Sequence, residues 1–148
     1  MERALAVVEA TESAKRVVRE AGELAAGVDA ELTLLHVTSQ EEYNDKRAAM
    51  ERVPSENVSY TVGQALEGAR QFARDVGGEV LDGIDVEYET VGAVGDAVEE
   101  IINQANQRDC DHIFIAGRKR SPTGKAIFGD VAQEVILDFD GAVTVITE

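Results

Sequence analysis

Cysteine, lysine and long hydrophobic runs are all scarce in this chain of 148 residues. Cys110 is the only cysteine, which excludes an intrachain disulfide and a zinc site built from cysteines. We interpret it as a small buried hydrophobe beside a strand. The apolar runs are far shorter than the roughly 20 residues of a membrane-spanning helix, and the first residues lack the pattern of a signal peptide. We therefore expect one cytoplasmic domain over residues 1–148, with no membrane partner.

Positive charge is also in short supply. The chain has 14 basic against 29 acidic side chains, for a formal net charge of -15 at pH 7. This balance disfavours nonspecific attraction to nucleic acids or anionic lipid, so no nucleic-acid partner is expected. An acid-rich, lysine-poor surface is typical of adaptation to high salt, where ions screen the self-repulsion. An ordinary acidic cytosolic protein is the alternative.

The hydrophobic pattern alternates between the periods of a strand and of a helix. Strands are predicted over residues 3–9, 30–38, about 84–91, 112–116 and 142–147, and helices over residues 11–26, 63–76, 97–105 and 128–137. We predict that Gly77 and Gly78 end the second of these helices. The polar residues 39–57 predict a long loop with at most one short helix.

This alternation predicts an α/β fold, with an open parallel sheet and helices on both faces. Acidic residues alternate with apolar ones in the third strand, which indicates a position at the edge of the sheet. A ligand crevice in such a sheet lies beyond the carboxyl ends of the strands, where the strand order reverses. If the first strand is central, the crevice lies between Glu9 to Thr11 and the chain from Gly117 onward.

The turn after the fourth predicted strand reverses the sign of the local charge. No acidic residue occurs between Asp111 and Asp130, and four basic residues lie within eight positions, namely Arg118, Lys119, Arg120 and Lys125. Glycines at 117, 124 and 129 let a backbone approach a ligand closely. The helix that follows offers unpaired N–H groups and a positive dipole end. The pattern predicts a phosphate site.

The same turn reads Gly117-Arg-Lys-Arg-Ser-Pro-Thr-Gly124-Lys-Ala-Ile-Phe-Gly129-Asp-Val-Ala-Gln133 and resembles the universal stress protein domain. Three further landmarks agree, namely Leu34-Leu-His-Val37, Gly95-Asp96 and the closing strand Ala142-Val-Thr-Val-Ile146. The resemblance implies a Rossmann-like sheet of five parallel strands in the order 3-2-1-4-5. It also implies a non-catalytic stress-response domain and a homodimer joined through the last strand, at Val143, Val145 and Ile146.

In one branch of the family the crevice binds ATP, so the resemblance implies ATP or another adenine nucleotide here, which Mg²⁺ can accompany. Glu9 stands where that branch has an Asp that contacts adenine, Val37 and Ala116 would flank the base, and Gly117 and Gly129 would hold the phosphates. The full set of implied binding residues is Val7, Glu9, Thr11, Val37, Ala116, Gly117, Arg118, Arg120, Gly129, Asp130 and Val131.

The chain departs from the ATP-binding pattern, which is Gly, two residues, Gly, nine residues, Gly and then Ser or Thr. Arg120 replaces the second glycine, the spacer 121–128 has eight residues, and Asp130 replaces the hydroxyl residue. A carboxylate about 4 Å from a phosphate charge is repulsive by on the order of 1–4 kcal/mol. Two interpretations stay open. Either the basic residues replace the lost contacts and a nucleotide binds, or the pocket is vestigial and the chain is a nucleotide-free dimeric regulatory module.

The sequence lacks the motifs of other nucleotide-binding and catalytic sites. Six residues rather than four separate Gly117 from Gly124-Lys125, which excludes a P-loop. No Gly-x-Gly-x-x-Gly follows the first strand, and there is no Gly-x-Ser-x-Gly elbow. His36 and His112 lie inside apolar strands without a second ligand at metal-binding spacing, so we interpret both as structural. We expect no catalytic or metal residues and at most slow ATP hydrolysis. An electron-transfer or acyl-transfer protein shares only the architecture.

Overall fold

The computed structural model describes residues 1–52, 60–117 and 129–147. Strands and helices alternate along the described chain. The strands are β1 (Arg3–Val7), β2 (Glu31–Thr38), β3 (Tyr88–Val94), β4 (His112–Gly117) and β5 (Ala142–Thr147), and the helices are α1 (Glu12–Val28), α2 (Gln40–Glu51), α3 (Val62–Val80), α4 (Ala97–Gln107) and α5 (Asp130–Asp138). None of the described helices is long and apolar enough to cross a bilayer.

The five strands form one parallel sheet in the order β3-β2-β1-β4-β5, which confirms the predicted fold class and strand order. β1 is central, with Ala6 opposite Leu34 on one side and Phe114 on the other. β3 lies at one edge, as its acidic alternation predicted, and β5 lies at the other. The strand order reverses at β1, so the carboxyl ends of β1 and its neighbours open onto the predicted crevice.

The sheet separates two hydrophobic clusters, which explains why β1 is apolar from Ala4 to Val7. Ala4 and Ala6 pack with α1 and with Leu34 and Phe114 in the first cluster, while Leu5 packs in the second with residues of α4 and α5. Because successive side chains of a strand point to opposite faces, a strand covered on both faces needs apolar residues at every position. Cys110 is also buried, as expected, and this burial raises the pKa of its thiol to about 11.

The predicted end of the helix over residues 63–76 was wrong. α3 continues through Gly77 and Gly78 to Val80, and Leu81 is its C-cap. Gly77 lies against the sheet, where a Cβ atom would come within 2.7 Å of Leu34 Cδ1. The glycine therefore allows the helix to approach the sheet, and this tertiary packing outweighs the low helix propensity of the residue.

The predicted loop after β2 is largely a helix, α2, of 12 residues. Ser39 caps it, because its side-chain oxygen accepts a hydrogen bond of 3.0 Å from the backbone N–H of Glu42. Tyr43 is the only residue of α2 that is buried, and its hydroxyl donates to the carbonyl of Tyr60 at 3.3 Å. A helix held by one side chain shows no apolar stripe, so the sequence pattern did not reveal it. The rest of that segment, residues 53–59, lies outside the described residues.

Smaller differences concern the ends of elements. β1 ends at Val7 rather than at Glu9, and β3 begins at Tyr88 rather than near Ile84. α5 begins at Asp130, while the predicted start at Phe128 lies outside the described residues. The earlier end of β1 matters for function, because it leaves Glu9 in the connection that passes over the carboxyl edge of the sheet.

Candidate functional site

A cavity of about 300 Å³ lies at the carboxyl ends of β1 and β2, on the side of the sheet that α4 and α5 cover. Its lining comes from both strand ends, from α2, from the first turns of α4 and from α5, namely Val7, Val8, Glu9, Ala10, His36, Val37, Glu42, Ala97, Ile101 and Val131. This is the edge where the strand order predicted a crevice. Among the described residues, β1 and β2 rather than β4 supply the strand part of the lining.

The floor of the cavity is apolar. Val7, Val37, Ile101 and Val131 all pack in or against one hydrophobic cluster, and Ile101 is fully buried within it. These side chains come from two strands and two helices, so the surface they form is fixed by the packing of the core rather than by a single loop. Such a floor suits the flat face of an aromatic ring, and small-molecule pockets usually combine this surface with a few polar groups.

Glu9 supplies the first polar group. It follows the end of β1, and its side chain is only partly exposed. Burial alone raises the pKa of this carboxyl above its ordinary value of 4.5, because a less hydrated site disfavours the charged form. A carboxylate kept in this setting at neutral pH costs stability, and it gains free energy when a ligand donates hydrogen bonds to it.

The raised pKa of Glu9 predicts a pH-dependent effect of Glu9→Gln. Because the folded-state pKa lies above the unfolded one, the native state is favoured below pH 4.5 and loses that stability as the pH rises through the folded pKa. Because glutamine does not ionise, the Glu9→Gln variant does not lose this stability as the pH rises. We therefore expect its melting temperature to exceed the wild-type value at pH 7 and to approach it at pH 4. Thermal denaturation followed by circular dichroism measures both.

The matched control is Glu23→Gln, which removes one negative charge from an exposed position on α1. It accounts for the general relief of self-repulsion in a chain of net charge -15. If Glu9→Gln and Glu23→Gln change the melting temperature equally at both pH values, burial is not what disfavours the Glu9 carboxylate.

Glu42 supplies the second carboxylate, and sequence reasoning missed it. It lies in the first turn of α2, and Ser39 Oγ donates to its Oε1 at 3.2 Å. The neighbouring Tyr43 anchors α2, so Glu42 is placed at the cavity although most of the helix is exposed. The only available signal was Ser39 followed three residues later by Glu42, which is the sequence of a capping box.

His36 completes the polar lining. Its Nδ1 lies 2.6 Å from the carbonyl oxygen of Val8 and donates to it, and its ring packs on Phe72 with centroids 4.4 Å apart. The bond joins the ends of β1 and β2. With Nδ1 as the donor, Nε2 of the neutral ring is an acceptor. His112 lies away from the cavity, where it bonds Thr144 Oγ1 at 2.7 Å and where burial lowers its pKa. Both histidines thus have structural partners, as expected.

Four of the implied binding residues meet at the cavity, namely Val7, Glu9, Val37 and Val131. Ala116 does not, because it packs against the cluster on the opposite face of the sheet from Val37. Its place in β4 follows Phe114 by two residues, so both point toward α1. Ala116 and Val37, which the resemblance implies would flank the base, thus pack on opposite faces of the sheet.

The remaining implied residues lie around the cavity or outside the described residues. Thr11 is the N-cap of α1, and its Oγ1 lies 2.9 Å from Ser13 Oγ. Gly117 is the last residue of β4 and pairs with Thr147 of β5. Gly129 is the N-cap of α5 with φ 90°, a conformation that favours glycine, and Asp130 is the first helical residue. Arg118 and Arg120, with the rest of the basic turn, lie outside the described residues.

The helix starts around this edge differ in their capping. Side chains of Ser39, Thr61 and Asp96 cap α2, α3 and α4, whereas α1 and α5 have no side-chain cap. Among the described residues, no side chain caps the first N–H groups of α1 and α5, and each helix adds the positive end of its dipole. Anions bind at such positions. In the part of the chain that is described, no three His, Cys, Asp or Glu side chains are grouped to hold a metal.

Comparisons with known proteins point to one family. A family model described as the universal stress protein family matches residues 1–147. A universal stress protein from Mycolicibacterium smegmatis is 36% identical over an alignment of 88 residues that covers 55% of this chain. The match spans 65% of that relative's length, slightly under two thirds.

Solved structures give the same result. The structure of a universal stress protein from Archaeoglobus fulgidus is 26% identical, with a TM-score of 0.60 over 99% of this chain and 98% of that one. A universal stress protein in complex with cAMP is 15% identical, with a TM-score of 0.65 over 98% and 96%. One from Archaeoglobus fulgidus in complex with dAMP is 20% identical, with a TM-score of 0.53 over 99% and 97%. The last two likenesses show the fold alone.

Proposed function

Because the chain belongs to the universal stress protein family, we propose that it is a non-catalytic, cytoplasmic stress-response domain that binds an adenine nucleotide at the carboxyl edge of its sheet. The observation that carries the proposal is the apolar cavity between Val37 and Val131, which has carboxylates at its rim and two helix starts without side-chain caps beside it. An apolar slot next to anion-binding N–H groups matches a molecule that has a flat ring at one end and phosphates at the other.

The size of the cavity indicates which part of the nucleotide enters it. About 300 Å³ is at the lower limit for small-molecule pockets. We propose that the base and sugar lie on the floor formed by Val7, Val37 and Val131, and that the phosphates lie outside the cavity at the start of α5. Gly117 and Gly129 would approach the phosphates with their backbones, with positive charge from Arg118 and Arg120 and with Mg²⁺ bound to the phosphates.

The family supports adenine as the base. The two universal stress proteins solved with cAMP and dAMP share the adenine ring in their ligands and differ in sugar and phosphate. We extend that common part to this chain. The absence of a paired nucleophile and base from the sequence supports a binding role rather than catalysis, with slow ATP hydrolysis as the upper limit.

Titration calorimetry with ATP in molar salt tests the proposal. Molar salt matches the acidic surface, since the ions screen the repulsion between a chain of net charge -15 and an anionic ligand. We expect saturable heat with one site per chain and a rise in melting temperature, because a ligand that binds only the folded state stabilises it. Absence of both heat and thermal shift at millimolar ATP would contradict the proposal.

A nucleotide-free dimeric regulatory module is the second candidate. It is favoured by the edge position of β5, where Val143, Val145 and Ile146 are only partly buried, and by the exposure of Leu137 on the adjacent α5, at 74%. We propose that a homodimer forms through β5 in either case. Sedimentation velocity with ATP, followed at the absorbance of the nucleotide, separates the candidates. ATP that sediments with the dimer supports the nucleotide site, and a dimer that sediments without ATP supports the module.

Asp130 provides a test of the phosphate position. As the first residue of α5 it brings a carboxylate to the proposed phosphate site, so Asp130→Ser should remove a repulsion and lower the Kd for ATP about fivefold, corresponding to about 1 kcal/mol. Calorimetry of both proteins under identical salt gives the ratio. Asp138→Ser is the matched control, because it removes the same charge from the opposite end of the same helix. Equal Kd values for both variants would mean that the phosphates do not lie at the start of α5.

A further inference from the structure

The polar side chains of the cavity share one chemical property. Within the described residues they are Glu9, Glu42 and His36. Two are carboxylates. The third, His36, donates a hydrogen bond from Nδ1 to the carbonyl of Val8, so Nε2 of the neutral ring is an acceptor. Lysine, arginine, asparagine and glutamine do not occur among these lining side chains. The described side chains of the rim therefore accept hydrogen bonds and offer none, which suits a ligand rich in donors.

The strand order fixes the sequence in which an extended nucleotide meets these groups. From α5 and β4 the sheet runs to β1 and then to β2. If the phosphates lie at the start of α5, the sugar and the near edge of the base lie beside Glu9 at the end of β1. The base then reaches Val37 at the end of β2 and Glu42 on the helix that follows. Glu42 is thus the carboxylate farthest along this path from the phosphates.

Glu42 is also held in place before any ligand arrives. Ser39 Oγ accepts from the Glu42 backbone N–H at 3.0 Å and donates to its Oε1 at 3.2 Å, so the same hydroxyl fixes both ends of the residue. The buried ring of Tyr43, one residue later, anchors α2 at this point. A preorganised acceptor loses little conformational freedom on binding, which favours its use in recognition.

We propose that Glu42 is a specificity-determining residue whose carboxylate accepts a hydrogen bond from the exocyclic amine of the bound base, so that the cavity selects 6-amino over 6-oxo purines. The inference rests on the proposed function and adds the residue that distinguishes the bases. A 6-oxo purine places a carbonyl oxygen where adenine has an amine, and that oxygen would face the carboxylate with no proton between them. Glu42 is exposed at the rim of the cavity, and an acceptor that is held in place but meets a second acceptor instead of a donor disfavours the wrong ligand.

Calorimetric titration of AMP and IMP, which differ at this position of the ring, tests the inference in molar salt. We expect the wild-type chain to bind AMP at least roughly tenfold more tightly than IMP. Glu42→Gln keeps the shape but adds an NH₂ donor that can serve the carbonyl of IMP. The ratio of the two Kd values should therefore fall to near one. Glu41→Gln, next to it on the exposed first turn of α2 and outside the cavity lining, removes the same charge and should leave the ratio unchanged.

The outcomes separate this inference from the proposed function. Binding of AMP with a ratio that Glu42→Gln does not change, or that Glu41→Gln changes equally, overturns the role of Glu42 and leaves the nucleotide site standing. A wild-type ratio near one has the same meaning. Failure of the wild-type chain to bind either nucleotide, or ATP, overturns both. A ratio that falls only in Glu42→Gln supports both.

Discussion

Replacement of Gly92 by alanine is expected to lower the free energy of unfolding by about 3 kcal/mol, at the upper end of the usual cost of overpacking. Gly92 lies in β3 beneath α3, and a Cβ atom there would come within 2.2 Å of the carbonyl oxygen of Leu66 and 2.5 Å of the backbone N of Arg70. Because both are backbone atoms of a helix, no side-chain rotation relieves the contact. For a domain of this size the loss corresponds to a fall in melting temperature of about 10 °C.

Gly68→Ala is the matched control. Gly68 lies in the interior of the same helix, and a Cβ atom there would have nothing within 4 Å. The same substitution should therefore stabilise the chain by roughly 0.5–1 kcal/mol, because alanine loses less backbone freedom than glycine on forming a helix. Urea denaturation of the two variants gives both values. A Gly92→Ala protein as stable as the wild type would show that α3 does not pack on β3 as closely as described.

Filling the cavity is expected to abolish nucleotide binding. Ala97, the first residue of α4, lines the cavity and is only partly exposed. Ala97→Phe places an aromatic ring in the space that the proposal gives to the base, while Asp96 still caps the helix by accepting from the Glu99 N–H at 3.1 Å. We expect calorimetry with ATP to show no saturable heat, and circular dichroism to show a fold and melting temperature close to those of the wild type.

Ala142→Phe tests whether the effect is local. Ala142 is exposed at the start of β5, at the amino ends of the strands, whereas the cavity lies at their carboxyl ends. The substitution adds the same ring. This variant should bind ATP with the wild-type Kd. If Ala97→Phe also binds ATP normally, the base lies outside the cavity and the placement proposed for it is wrong.

The fold could be predicted because the sheet imposes a strong pattern. Residues 4–7 of β1 and 113–116 of β4 are covered on both faces and are continuously apolar, and α1 carries an apolar stripe that includes Val17, Val18 and Ala21. The order of the strands came from the resemblance to a family. Gly77 shows why local sequence patterns are not sufficient. Glycine tends to end a helix, but here the close packing of Gly77 against Leu34, a residue that is distant in sequence, outweighs that tendency.

The site was only partly predictable, for two physical reasons. A strand with a continuous apolar run does not reveal which side chains face which helix layer, so the sequence did not show that Ala116 and Val37 lie on opposite faces of the sheet. Glu42 was missed because Tyr43 is the one buried residue of α2, and a single buried position gives no helical period. By contrast, the position of Glu9 at the crevice follows from the end of β1, which was predicted to within two residues, while Val37 came from the resemblance.

A crystal structure of the wild-type chain grown with millimolar ATP in molar salt tests the nucleotide site directly. We expect electron density for the adenosine on the floor formed by Val7, Val37 and Val131, with the amine toward Glu42 and the phosphates at the start of α5 beside Gly129. An empty cavity in crystals grown at saturating ATP, or ATP bound at a different surface of the sheet, would contradict this expectation.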